Sequence, residues 1–97
     1  MAEFAFLTNH AQALICVARD PELRLRDIAQ ELDITERATH RIISDLVDAG
    51  YLARHREGRR NSYEVQADRI VPAPVLRDLQ VGQLLGALAA DKPAATA

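Results

Sequence analysis

The chain has 97 residues, 48% of them hydrophobic and 27% charged, and 12 basic against 14 acidic residues give a net charge of −2. That length fits one small domain whose own core would be modest, and the composition is that of a folded protein rather than a disordered one. One cysteine excludes an intramolecular disulfide or a paired-thiolate metal site, and no stretch approaches the roughly 20 apolar residues of a membrane helix. Cys16 sits among apolar neighbours in ALICVA and reads as a small buried residue. With no basic segment ahead of the first apolar run, the expected location is the cytoplasm and no membrane partner is expected.

In chain order, FAFL is followed by Thr8 or Asn9, either able to cap a helix running to about Asp20, where Pro21 disfavours continuation. Ala11, Leu14, Ile15 and Ala18 follow the i, i+3, i+4, i+7 spacing of one buried face. RDIAQEL, with Ile28, Ala29 and Leu32 on one side, predicts a second helix. Arg24 occupies its cap position poorly, and Asp27 compensates in the first turn. Asp33 tolerates a left-handed backbone and suits the tight turn before Thr35, which caps a third helix over 35–49. At 100° per residue, Ala38, Ile42, Leu46 and Ala49 gather on one side of it, flanked by Ile43. Glu36, Arg37, His40, Arg41 and Ser44 fill the opposite arc, and Gly50 ends the helix.

From Tyr51 the period changes from helix to strand. YLARHREGRRNSYEVQ predicts a β-hairpin turning at Gly58 to Asn61, with Leu52, Tyr63 and Val65 directed inward. Four arginines and one acid fall in RHREGRR, so a basic patch sits on an acidic body. Pro72 and Pro74 mark a loop, and Val81, Leu84, Leu85 and Leu88 predict a last helix over 79–90, ahead of a tail at 91–97. The expected architecture is mainly α with a small β-hairpin (α+β), a winged helix-turn-helix as a single domain over 1–90 with flanking N- and C-terminal helices.

DIAQELDITERATHRIISDLVDAGYLARHREGRRNSYEV, residues 27–65, resembles the winged helix-turn-helix of the ArsR and MarR families of bacterial transcription regulators. The early alanines Ala29 and Ala38, the run from Leu46 to Leu52 and EGRRNSY at the wing carry the likeness. It implies a sequence-specific regulator of transcription that binds double-stranded DNA, with the third helix in the major groove and wing residues 54–61 on the backbone or in the minor groove. Arg37 is expected to read a base edge or else to face phosphate. Glu36 is expected to accept from a cytosine amino group or to serve the helix N-terminus. His40 occupies a position that the families use for base or backbone contact, and Arg41 is expected on phosphate. Thr35 and Thr39 complete that helix's set, although Thr39 falls between the faces, where packing is the reading its position favours. Arg59 and Arg60 are expected to clamp the backbone or enter a minor groove, with Arg54 and Arg56 supporting phosphate binding.

Members of the ArsR family sense metals through cysteines on the first helix of the motif, and RDIAQELDI has none. His10, His40 and His55 show no ligand spacing, so neither metal nor cofactor is expected. MarR-type proteins enclose a ligand pocket with longer flanking helices, and the short flanks here give no basis for one. No nucleophile, phosphate loop or convergent carboxylate pair supports an enzyme. The surplus of apolar faces on the first and last helices implies a homodimer through Leu14, Val17, Val81, Leu84, Leu85 and Leu88, with Gly82 and Gly86 permitting close approach to the partner. The competing functional reading is a winged-helix module that binds other proteins.

Overall fold

The computed structural model describes residues 6–88. Three helices come first: α1 (Asn9–Arg19), α2 (Leu25–Leu32) and α3 (Glu36–Asp48). The hairpin strands β1 (Leu52–Glu57) and β2 (Arg60–Val65) follow, then a single 3₁₀ turn (Pro74–Leu76) and α4 (Val81–Leu88). The expected α+β winged helix-turn-helix is the fold observed. Residues 89 and 90, at the end of the predicted last helix, and the predicted tail lie outside the described residues.

Each helix begins where a side chain satisfies an otherwise free backbone N–H. Thr8 Oγ1 accepts from Ala11 N at 3.1 Å, and Thr35 Oγ1 accepts from Ala38 N at 3.0 Å. At α2 the cap residue is Arg24, and the bond runs the other way: its backbone N–H donates to Asp27 Oδ2 at 3.1 Å. Asp33 terminates α2 in the left-handed region (φ 58°, ψ 48°), as its position in the turn requires. Gly50 ends α3 with φ +88°, where a β-carbon would be strained.

The core gathers Ala13 and Val17 of α1, Ile28 of α2, Ile42, Ile43 and Leu46 of α3, and Leu52 and Tyr63 of the hairpin. Two expected faces are rotated. On α1 the buried residues are Ala13 and Val17, while Ala11, Leu14 and Ile15 are half-buried and Ala18 is exposed. The helix is apolar on several sides, and α2, α3 and β2 pack on the 13/17 edge. On α3 the buried stripe is Thr39, Ile42, Ile43 and Leu46, with Ala49 exposed.

Strands β1 and β2 pair antiparallel, Leu52 opposite Val65 and Glu57 opposite Arg60. This leaves Gly58 and Arg59 as the loop, two residues shorter than expected, with Gly58 at φ +65° in the first loop position. Helix α4 begins two residues later than expected because Leu79 O accepts from Val71 N at 2.9 Å and Ile70 bridges Gln80, which holds the segment extended.

Val81 and Leu85 are buried within this chain at 4% and 6% exposure, as is Val17 at 2%, so each leaves little surface for the predicted dimer contact. Leu14 and Leu84 are half-buried, and Leu88 is exposed. The close approach expected of Gly82 is internal. A β-carbon there would lie 2.7 Å from Ala67 Cβ, and one at Gly86 would meet open space.

Ile28 is fully buried at the meeting of three helices. Ile28→Ala is expected to lower unfolding free energy by about 2–5 kcal/mol, read as a reduced urea midpoint by circular dichroism. A loss under about 1 kcal/mol would mean that the surroundings collapse into the space.

Candidate nucleic-acid interface

The two faces of α3 are chemically opposite. Thr39 is completely buried, and its hydroxyl donates to Thr35 O at 2.9 Å, which satisfies the polar group inside the core. It is thereby removed from the candidate contact residues. Thr35, Glu36, Arg37, His40 and Arg41 are all exposed along the first half of the helix. Among the described residues none of these side chains is engaged in an ion pair. The second half turns acidic, and Asp45 there pairs with His10 of α1 at 2.9 Å.

The wing supplies the second element. Arg54 shares a hairpin face with its cross-strand partner Tyr63, its guanidinium 5.9 Å from the ring centroid. Arg56 Nε donates to Gly58 O at 3.3 Å and braces the loop, and Arg59 is exposed at the tip. Arg60 Nη2 donates to Glu22 O at 2.9 Å, tying the wing to the connection between α1 and α2. That acceptor is an uncharged carbonyl, so this contact sets no acid against the arginine's positive field. On the opposite face of the strands His55 Nε2 meets Glu64 Oε1 at 3.0 Å.

One basic residue escaped sequence reasoning. Arg24 lies with Arg59, Arg60 and Asn61 around a notch between the start of α2 and the wing tip. Its poor fit as a cap was the local signal; the contact that assembles the notch spans 38 residues from Glu22 to Arg60 and has no local signature.

A separate apolar cleft of about 410 Å³ lies between α1, the end of α3 and α4. Leu7, Leu14, Ile15, Leu84 and Leu88 line it, with the His10–Asp45 pair beside it. The expected inward face of α1 borders this cleft. Among the described residues, no three His, Cys, Asp or Glu side chains come together as a metal site. No helix of the described residues is long and apolar enough to cross a membrane. Cys16 is half-buried against the core. Burial, then the negative charge of Glu31, raise its thiol above the ordinary value, and Arg19 partly offsets them.

A tight-turned helix pair whose second member carries a polar front, followed by a basic hairpin, defines a winged helix-turn-helix protein. Residues 6–60 match the model of the MarR family, more than half the chain, and the chain belongs to that family. Of the two families that the sequence resembles, this is the one matched. Among solved structures, the zinc-dependent MarR family transcriptional regulator AdcR in its Zn(II)-bound state aligns at a TM-score of 0.49 and 23% identity, covering 68% of this chain and 47% of that one. The chain thus spans about half the length of that regulator. No curated protein matches.

With its thiol pKa raised, Cys16 holds less reactive thiolate at a given pH than a free cysteine. Alkylation by iodoacetamide at pH 8 is expected to be slower than for free cysteine and to accelerate on unfolding in urea. Equal rates in the folded and unfolded chain would contradict the burial.

Proposed function

We propose that the protein is a regulator of transcription that binds double-stranded DNA sequence-specifically, α3 entering the major groove and the wing lying on the backbone or in the minor groove. The observation that carries this is the exposed Glu36, Arg37, His40 and Arg41 front on the N-terminal half of a helix whose opposite face is locked into the core. A major groove about 12 Å wide admits one such helix. Arg37 reads a base edge, Glu36 accepts from a cytosine amino group, and His40 and Arg41 contact base or backbone, with Thr35 at the helix start. Arg59 and Arg60 neutralise phosphates at the wing, and Arg54 and Arg56 add to its positive field. Membership of the MarR family supports this reading. Capture of genomic DNA fragments in an electrophoretic shift, followed by sequencing, tests it and supplies the target; no retention on any fragment would turn attention to an acidic protein partner.

The same reading includes a homodimer. A second copy closes the cleft between α1 and α4, using Leu14, Leu84 and Leu88. The chain measures 38 × 35 × 28 Å, so neighbouring copies place equivalent helices at a separation comparable to the roughly 34–36 Å of one DNA turn.

Arg37→Ala is expected to weaken the preferred site by about 1–3 kcal/mol and to relax preference at one base position. An equal loss on random DNA would make Arg37 a phosphate contact instead. Replacing Arg59 and Arg60 with glutamine is expected to weaken all sequences and lower the salt-dependence slope by about two; an unchanged slope would place the wing in solvent. Leu84→Glu with Leu88→Glu is expected to give a monomer that binds DNA poorly, and sedimentation of the unmodified chain as a monomer at about tens of micromolar would rule out the dimer.

A further inference from the structure

The turn after β2 holds a residue that belongs to none of the surfaces above. Arg69 lays its guanidinium across the C-terminal end of α3. Its Nη2 donates to Ala49 O at 3.1 Å, so a carbonyl left free at the helix end gains a charged donor. The same group lies 5.4 Å from the Tyr51 ring centroid. Between these two contacts sits Gly50, where a β-carbon would come within 3.3 Å of both Arg69 Cζ and Arg69 Nη2. The glycine therefore both turns the chain out of the helix and leaves room for the arginine.

The backbone of this turn is bonded to α4. Arg69 O accepts from Val81 N at 2.7 Å and Ala67 O accepts from Gly82 N at 2.8 Å. Gly82 allows this contact, since any side chain there would collide with Ala67. Gln66 N in turn donates to Tyr51 O at 2.9 Å. A four-residue turn thus joins the first residues of α4 to the last of α3, and Arg69 is its only side chain hydrogen-bonded to the α3 terminus among the described residues.

We infer that Arg69 is a positioning residue: it fixes the C-terminal end of α3 and makes the angle of that helix depend on where α4 sits. The functional consequence rests on the DNA-binding reading, whereas the mechanical link does not. Helix α3 is about 20 Å long. A tilt of about 5° pivoted at Arg69 carries the Glu36–Arg37 end by about 1.7 Å, enough to spoil a hydrogen bond to a base edge. The wing tip is held to the α1–α2 connection through Arg60 and Glu22, at the end of the hairpin remote from this turn. Displacing α4 would therefore alter base reading by α3 more than phosphate contact by the wing.

The test uses the full chain and has an arm without DNA and an arm with it. In ¹H–¹⁵N spectra, Arg69→Gln is expected to shift the amides of Ala49, Gly50 and Tyr51 and to speed exchange at Tyr51, whose N–H donates to Leu46 O. Gly82→Ala, which pushes α4 off the turn, is expected to shift the same amides in the Arg69 chain and to do so less in Arg69→Gln. Unmoved amides in Arg69→Gln, or an equal Gly82→Ala effect in both backgrounds, would overturn the linkage. If Arg69→Gln does not fold, Arg69→Lys serves in both arms, because lysine keeps the charge but cannot lie flat over Gly50.

With the fragment that the unmodified chain retains, both Arg69 variants are expected to lower the ratio of specific to random affinity by about two- to thirty-fold. The salt slope is expected to stay the same, because no phosphate contact is lost. Full recovery with lysine, or a slope lower by about one, would make Arg69 a simple charge or a phosphate contact and overturn the positioning role. Shifted amides together with no DNA retention by the unmodified chain would refute the DNA reading and leave the α3–α4 linkage standing.

Discussion

A helix can hold a polar face in one direction only if its opposite face cannot rotate, and in this chain Thr39, Ile42, Ile43 and Leu46 impose that restraint on α3. They meet Ala13 and Val17 from one side, Ile28 from another and Leu52 with Tyr63 from below the hairpin. Turning the helix by one residue would bring Arg or His against this cluster, at a desolvation cost of several kcal/mol. The apolar contacts thus set the direction of Glu36, Arg37, His40 and Arg41 without touching them. The caps at Thr35 and Gly50 fix the length of the same helix, so its orientation and its extent have separate causes.

The architecture was legible because its signals are local. Thr8, Thr35 and Gly50 mark helix ends by chemistry confined to three or four residues, Asp33 marks a left-handed turn, and Tyr63 and Leu52 carry the strand alternation. Where the reading slipped, two local solutions were nearly equivalent. Helix α1 is apolar on several sides, so periodicity alone did not separate the Ala13–Val17 edge from the Ala11–Leu14–Ile15 face, and tertiary packing decided. For α3 the slip was Ala49, which is exposed, whereas Thr39, favoured as packed, is fully buried with its hydroxyl closed on Thr35 O.

The site was legible as a set of exposed charges and less so as an assembly. Arg37 and Arg41 stand where helical periodicity puts them, but the grouping of Arg24 with the wing, the His10–Asp45 pair and the Arg69 cap all join residues 20 or more positions apart. The last helix shows the same limit. Its spacing announced one apolar stripe, and in the fold all four residues border the cleft, Val81 and Leu85 buried against the chain's own core and Leu84 and Leu88 left more exposed. A stripe read from sequence reports that burial is wanted, not which molecule provides it.

The two-residue loop between β1 and β2 has an evolutionary corollary. With Glu57 paired to Arg60 across Gly58 and Arg59, a single residue inserted in either strand is absorbed only by a bulge. Without one, every side chain beyond the insertion would turn to the other face, sending Arg54 away from Tyr63 or Tyr63 out of the core. Lengthening the wing while keeping its chemistry requires matched additions to both strands, in steps of two per strand if inward and outward residues are to keep their alternation. Descendants of this sequence should therefore explore new targets by exchanging tip side chains far more readily than by altering how far the wing reaches.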